Sequence, residues 1–449
     1  MDKKTTMENY VRTAFEKGAF NGVWLFAENG EIVSKGAIGW RDAEDRLPLR
    51  EDSIFDVASI SKQFTAAALM LLRREGLLEL DDEITRFYPE IPYKGVTIRQ
   101  LLLHTSGLPD YMNWVEKVAK EEKRIPGNEI ILRFLCESGE KALFMPGERW
   151  AYCNTGYCLL ALIVEKLSGL PFDDFMQNSV FAAAGMHNTR ILHRRKDRLT
   201  VDNLAYGLVV EGGRYLLPED SIERTNAVEL DGGSGDGNVH TNIFDLLTWD
   251  RVLREETLLT KEEQMLMYTP GRLNNGEIAG TEKEKDGYGL GWGILKDPEL
   301  GLVVDHIAGW AGYIAWYERF VDVNKVLIYL CSREPADTRA YAAFRIGMEA
   351  IVRDEEPRPV LGLEELTVQD SNHSNWEELC GSYEWKDEQI ELYLQDGELY
   401  LRFRGAWGIG ASSRLYPLGE KRFGVKEYSG DFVFGENCLC FLGVTGKKL

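Results

Sequence analysis

The stretch Ser59-Ile60-Ser61-Lys62-Gln63-Phe64-Thr65-Ala66-Ala67-Ala68-Leu69-Met70-Leu71-Leu72-Arg73-Arg74 reads as one helix. Apolar residues at 64, 67, 68, 71 and 72 keep helical spacing, and Leu69 and Met70 fill the gaps between them, until Arg73, Arg74 and Gly76 end the run. A helix apolar almost all round belongs at the centre of a domain. Ser59 and Lys62, three residues apart at its start, share a face, so Ser59 Oγ and Lys62 Nζ can meet. A serine hydroxyl needs a base to become a nucleophile, and a lysine serves as one only where its surroundings disfavour the ammonium form. By itself the Ser-x-x-Lys spacing equally describes a capping serine followed by a solvated lysine.

Two further stretches carry chemistry-bearing side chains. In Tyr152-Cys153-Asn154 an extended i, i+2 spacing turns a phenol and an amide the same way, just ahead of an apolar helix from about Thr155 to Leu167 that Gly169 closes. Without the Ser-x-x-Lys pair, the tyrosine reads as a loop anchor and Asn154 as a helix cap. His306-Ile307-Ala308-Gly309 follows a strand pattern at Leu302 to Val304 and precedes Trp310-Ala311-Gly312-Tyr313.

Around these stretches the chain organises itself by period. A first helix spans about Met7 to Lys17, and Val23 to Ala27 and Glu31 to Lys35 flank Asn29-Gly30, a hairpin signal. Strand patterns return at Leu302 to His306, Tyr313 to Phe320 and Val326 to Cys331, the last two joined by a turn at Asp322 to Lys325, and a helix over Thr338 to Val352 follows. These features predict an α+β fold: an antiparallel sheet built from both ends of a domain and flanked by helices, with an all-helical subdomain inserted between. Residues 1–355 form that domain. The charged, irregular stretch 356–374 reads as a linker. Alternation at Ile390, Leu392, Leu394, Leu399, Leu401 and Phe403 across Asp396-Gly397, repeated from Phe432 to Leu442 around Glu436-Asn437, makes 375–449 a small antiparallel β-barrel.

The bulk properties exclude several function classes. A net charge of -21 spread along 449 residues provides no basic footprint for nucleic acid or an anionic membrane. No apolar run reaches the length of a membrane span, and the polar start, Met1 to Lys17, has no signal-type core. The expected placement is cytoplasmic, or periplasmic or extracellular where a leader has been removed. Seven cysteines without a C-x-x-C pair fit reduced thiols, and six histidines show no metal-ligand spacing, so neither metal nor cofactor is expected. The expected partner is a small molecule or short peptide as substrate; no oligomeric state follows from the sequence.

In this order the three elements resemble the penicillin-binding-protein and class C β-lactamase superfamily of serine hydrolases, with its D-aminopeptidase and esterase branches. Supporting the resemblance over residues 8 to 352 are Phe55-Asp56-Val57-Ala58, Leu101-Leu102-Leu103-His104-Thr105-Ser106-Gly107-Leu108-Pro109, Gly235-Asp236-Gly237 and Tyr288-Gly289-Leu290-Gly291-Trp292-Gly293. The resemblance implies that Ser59 attacks the acyl carbon, Lys62 takes its proton, and Tyr152 passes a proton to the leaving group. Asn154 would hold the substrate amide and orient Lys62, and His306 would hydrogen-bond the Tyr152 region or the substrate. The backbone N–H groups of Ser59 and Gly309 would form the oxyanion hole, with Ala308 and Trp310 contacting substrate. The barrel looks like the lipocalin-like domains appended to some members. Ala308 stands where the family usually has glycine. Its methyl is expected to narrow the cleft, and histidine in place of a permanently charged lysine removes an anchor for a carboxylate. Hydrolysis of a peptide, amide or ester, including one built on a D-amino acid, is therefore expected, with weak or no β-lactamase activity. The competing readings are a sensor that acylates without turnover and a scaffold working through its barrel.

Overall fold

The structure is a computed structural model, and it describes residues 2–211, 214–221, 226–280, 286–367, 373–385, 388–404, 413–419, 421–426, 428–435, 437–441 and 444–449. Glu436 and Leu442 of the second C-terminal hairpin, and 368–372 of the expected linker, lie outside the described residues. The chain divides into two compact units, one of residues 22–211 and 215–334, the other of 1–21, 212–214 and 335–449.

The first unit is organised by a six-stranded antiparallel sheet of β1 (Gly22–Glu28), β2 (Glu31–Ile38), β3 (Gly293–Asp297), β4 (Gly301–Trp310), β5 (Tyr313–Phe320) and β6 (Lys325–Cys331), in the order β2-β1-β6-β5-β4-β3. Strands from both ends of the unit meet where β1 pairs with β6, Val23 opposite Leu330 and Leu25 opposite Ile328. Asn29 (φ +52°) and Gly30 (φ +81°) both take the left-handed conformation that a two-residue hairpin requires, as the Asn-Gly pair predicts. Val23, Leu25, Ala27, Ile328 and Leu330 put one face of the sheet into a core shared with the helices Ser61–Arg74, Asn154–Ser168 and Ile243–Arg254.

Residues between β2 and β3 are mainly helical and also carry a short three-stranded sheet of Phe55–Asp56, Val239–Thr241 and Arg190–Ile191. The Ser61–Arg74 helix is the central buried helix its composition predicts, and its buried polar side chains are hydrogen-bonded, except that Gln63 Nε2 has no partner among the described residues. Thr65 Oγ1 donates to Gly235 O (2.7 Å), Gln63 Oε1 accepts from Trp249 Nε1 (2.9 Å), and Ser61 Oγ accepts from Val239 N–H (3.1 Å). Two glycines permit this packing. A Cβ on Gly235 (φ +99°) would stand 2.5 Å from Tyr157 O, and one on Gly291 (φ +82°) would stand 2.9 Å from Lys62 O.

One buried ion pair pins the far side of this core. Arg319 on β5 donates to Asp250 Oδ1 (2.7 Å) and to Tyr268 Oη (2.8 Å), and both charged partners are almost wholly buried. Arg319→Met is expected to cost about 3–5 kcal/mol, because it leaves the buried Asp250 carboxylate with only the 3.8 Å ion pair to the partly exposed Arg254. Chemical denaturation of the variant measures this.

In the second unit the Lys3–Glu16 and Thr338–Val352 helices pack together: Tyr10 Oη donates to Ala343 O and Arg358 O (2.9 Å each), and the Tyr10 and Phe344 rings stack. Its C-terminal part is a nine-stranded antiparallel sheet running from Ser413–Arg414 at one edge to Tyr416–Gly419 at the other. Those two edge strands are consecutive in the chain, so the sheet curls into a nearly closed barrel. The alternation read from the sequence sets the register of its first hairpin, with Leu392 opposite Leu401 and Ile390 opposite Phe403. Among the described residues no single helix is long and apolar enough to cross a membrane, and no group of three His, Cys, Asp or Glu side chains could hold a metal ion.

Candidate active site

Ser59 sits in a short 3-10 turn, Ala58–Ile60, that leads into the Ser61–Arg74 helix. The turn begins on a strained residue: Ala58 has φ +44° and is held there by its N–H, which donates to Asp56 Oδ1 (2.8 Å). Ser59 is therefore partly exposed at the floor of a cavity of about 200 Å³, which Tyr152, Asn154, Asp236, Gly309 and Trp310 help to line.

Lys62 lies behind the serine, fully buried. Its Nζ donates to Ser59 Oγ (3.1 Å), Asn154 Oδ1 (3.0 Å) and Asp236 O (2.8 Å), and it stands 4.9 Å from the centre of the Tyr152 ring and 5.4 Å from that of Tyr157. The i, i+3 approach expected from the sequence is present. The surroundings are less apolar than the helix alone suggests, because the three oxygens come from the turn before it, from Asn154 and from Asp236. Asn154 does not cap its own helix; its side chain turns to Lys62, while Asp110 Oδ2 accepts the Asn154 N–H (3.0 Å). Tyr152 faces the cavity with no hydrogen bond from its hydroxyl to Ser59 or Lys62 among the described residues.

The β4 strand forms the opposite wall. Ala311 and Gly312 make a two-residue loop, so Trp310 and Tyr313 form the closing pair of the β4–β5 hairpin. Hydrogen-bonded and non-hydrogen-bonded pairs alternate from there, which turns the N–H of Ala308 and Trp310 toward β5 and that of Gly309 toward the other edge. Because β3 ends opposite Asp305, that edge carries no strand from His306 onward among the described residues. Gly309 N–H thus faces open space on the Ser59 side, where an oxygen can be received.

Two expectations need correction. Ala308 does not line the cavity: it sits 4% exposed within the core, so its methyl does not narrow the cleft. Of the two partners expected of His306, the Tyr152 region or the substrate, Tyr152 itself is not hydrogen-bonded among the described residues: its ring centroid is 6.5 Å away. His306 Nδ1 lies 2.7 Å from Ile307 O and its Nε2 3.1 Å from Tyr288 Oη. A carbonyl can only accept, so Nδ1 carries the proton and Nε2 accepts from the tyrosine. Tyr288 is one residue to which the sequence assigned no site role; its Tyr-Gly-Leu-Gly-Trp-Gly stretch was the available signal. Asp236 and Tyr111, whose hydroxyl donates to Asp236 Oδ2 (3.0 Å), are two more.

Beneath Tyr152 lies a second buried imidazole. His104 packs against Tyr152 at 4.2 Å between ring centroids, and its Nδ1 accepts the Cys153 N–H (3.1 Å). Burial, then the charge of Lys62, pushes the His306 pKa down to about 3, and the same two causes in the same order hold His104 well below its usual value. Both stay neutral in the fold at pH values where the unfolded chain protonates them. Their stabilisation is therefore complete above about pH 6.5 and is lost below it, at about 1.4 kcal/mol per pH unit for each histidine. His193 acts oppositely: burial would lower it, but the hydrogen bond and charge of Asp173 raise it, so its contribution is present below pH 6.5. The sum leaves a net loss. The denaturation midpoint should fall between pH 7 and pH 5, and His306→Gln should flatten that slope; an unchanged slope would count against the assignment.

A family model described as Beta-lactamase matches residues 7–349. Penicillin-binding protein 4* of Bacillus subtilis (strain 168) is 36% identical over 445 residues, covering 97% of this chain and 95% of that protein. Among solved structures, the octameric penicillin-binding protein homologue from Pyrococcus abyssi superimposes with a TM-score of 0.65 at 22% identity, over 99% of both chains. The D-amino acid amidase from Ochrobactrum anthropi SV3, complexed with L-phenylalanine amide, gives 0.61 at 20% identity over 78% of this chain and 97% of that one. With the family model spanning most of its length and a relative aligned nearly end to end, the chain belongs to the beta-lactamase family.

Proposed function

We propose that the protein is a serine hydrolase that forms an acyl-enzyme on Ser59 and hydrolyses a peptide, amide or ester bond. The observation that carries this reading is the 3.1 Å contact between Lys62 Nζ and Ser59 Oγ at the floor of an open cavity. Once it has released one of its own protons and turned the resulting lone pair to Ser59 Oγ, the Lys62 amine accepts the Ser59 proton as Oγ attacks the acyl carbon, and the N–H groups of Ser59 and Gly309 receive the developing oxyanion. Tyr152, over the lysine and exposed to the cavity, delivers its proton to the leaving group and is reprotonated with the one Lys62 took from Ser59; water then attacks the acyl carbon, and its proton returns to Ser59 Oγ as the acyl bond breaks. Asn154 holds Lys62 in place, and Trp310 contacts substrate. In this reading residues 1–355 are the hydrolase domain, 356–374 the linker and 375–449 an appended lipocalin-like barrel.

β-Lactams are expected to be poor substrates. Ala308 is not the reason; the neutral, already hydrogen-bonded His306 offers no cation to a carboxylate. Steady-state assays with p-nitrophenyl esters, D- and L-aminoacyl p-nitroanilides and benzylpenicillin test this. Turnover of an ester or anilide with penicillin at least about 100-fold slower supports it, and rapid penicillin turnover contradicts it. A stable penicilloyl adduct with no hydrolysis of any substrate would favour the acylating sensor.

A further inference from the structure

The Tyr152 hydroxyl has no hydrogen-bond partner among the described residues, so the ring is placed by the backbone that carries it and by what packs around it. Both lead to His104. Its carbonyl accepts the Ala151 N–H (2.9 Å) and its Nδ1 the Cys153 N–H (3.1 Å). Alternate N–H groups of an extended segment point the same way, so these two bonds hold the chain on either side of Tyr152 as a neighbouring strand would. The imidazole then packs on the Tyr152 ring at 4.2 Å between centroids, nearer than Trp150 (6.3 Å) or His306 (6.5 Å). His104 is an unusual residue for that place. It is 1% exposed, it sits at φ +57°, a region uncommon outside glycine, and its Nε2 has no hydrogen-bond partner among the described residues. Because Nδ1 accepts, Nε2 carries the proton of the neutral ring, and a buried donor is left unpaired. Phenylalanine would fill the space without that cost; what it lacks is the acceptor for Cys153 N–H. Burial and the charge of Lys62 keep the imidazole neutral, which preserves that acceptor.

Resting on the hydrolase reading above, we propose that His104 is a positioning residue that holds Tyr152 where its hydroxyl protonates the leaving group. It does not line the cavity and acts through Tyr152 alone. When the C–O bond of the tetrahedral intermediate breaks, a departing alkoxide takes the Tyr152 proton, and Lys62 returns to Tyr152 the proton it took from Ser59. A p-nitrophenolate or a fluoride departs without that proton. Attack by Ser59 Oγ, with the oxyanion on the Ser59 and Gly309 N–H groups, is common to all of them. Loss of His104 therefore falls on the poor leaving group.

The test compares kcat/KM for ethyl butyrate and p-nitrophenyl butyrate, which form the same butyryl-enzyme and differ only in leaving group; kcat/KM reports acylation, the first irreversible step. Full-length wild type, His104→Phe, His104→Asn, Tyr152→Phe and the double variant His104→Phe/Tyr152→Phe are measured, with fluorophosphonate labelling of Ser59 as the check on folding. Asparagine tolerates the left-handed region and sets its amide oxygen near the place of Nδ1. His104→Phe should label, and cleave the nitrophenyl ester, within about fivefold of the wild type, while ethyl butyrate falls by about 30-fold or more, much of what a general acid supplies. His104→Asn should keep the ratio of the two esters within about fivefold, and His104→Phe should change nothing further in the Tyr152→Phe background. His104→Ala, too small to clash, is read in place of His104→Phe where that variant does not label. Equal losses on both esters, no loss on either, the same loss in His104→Asn, a penalty that persists without the Tyr152 hydroxyl, or loss of labelling in both His104→Phe and His104→Ala would overturn the inference. So would a wild type that cleaves the nitrophenyl ester alone, since it has no acid for His104 to position. A wild type that neither labels nor cleaves either ester would overturn the hydrolase reading, and this inference with it.

Discussion

Ser59→Ala is expected to lower kcat by at least about 10⁴-fold for any ester or amide the protein hydrolyses, since removal of a covalent nucleophile leaves only oxyanion stabilisation and binding. The fold should hardly notice. Ser59 is partly exposed, and the change deletes one hydrogen bond, to a lysine that keeps two other acceptors. A variant with native denaturation behaviour and no activity is the expected result. Residual kcat within tenfold of the wild type would mean that water, and not Ser59, attacks the substrate.

Lys62→Met is expected to fall almost as far, by about 10³-fold or more, because among the described residues Lys62 is the side chain hydrogen-bonded to Ser59 Oγ. Here stability changes too. Asn154 Oδ1 and Asp236 O lose their donor, and each buried acceptor left unpaired costs about 1–3 kcal/mol. Lys62→Arg should not rescue activity: a planar guanidinium cannot reproduce three diverging donors on one nitrogen, and it does not give up a proton. The two substitutions thus part company in a denaturation experiment while agreeing in an activity assay. If Lys62→Met keeps activity within tenfold, the base lies elsewhere.

Much of this was legible because it is local. The Asn29-Gly30 hairpin, the Ser61–Arg74 helix and the Thr338–Val352 helix follow from turn chemistry and helical period, and the structure places them within a few residues of expectation. The Gly293–Asp297 strand was not expected: five residues after a glycine-rich run show no alternation, and the strand exists because β4 offers it an edge. For the same reason β4 runs on to Trp310 past the expected end at His306, its register fixed by the hairpin with β5 and not by the propensities of Ala308 and Gly309. The small antiparallel barrel was expected and is present, but the order in which its hairpins join was not legible, since alternation gives hairpins and not their neighbours.

In the site, side chains with a motif could be found and backbone groups without one could not. Ser59, Lys62, Tyr152 and Asn154 meet around one cavity wall. Asp236 enters through its carbonyl, which any residue could supply and which meets Lys62 only because the loop before Val239–Thr241 folds across that lysine. The reading of Ala308 went astray on depth: 308 shares a strand face with Trp310, which lines the cavity, but is itself 4% exposed within the core. On a strand, neighbours face opposite ways, so 308 also shares its face with His306, which is buried too, whereas 309 is exposed.

The central claim is that Ser59 is a nucleophile activated by Lys62. Intact mass after exposure to a fluorophosphonate, measured for the wild type, Ser59→Ala and Lys62→Met, tests it most directly. One adduct on the wild type, mapped to Ser59 and absent or at least 100-fold slower in both variants, is the predicted result. Unmodified wild-type protein, or an adduct that persists in Ser59→Ala, would contradict it.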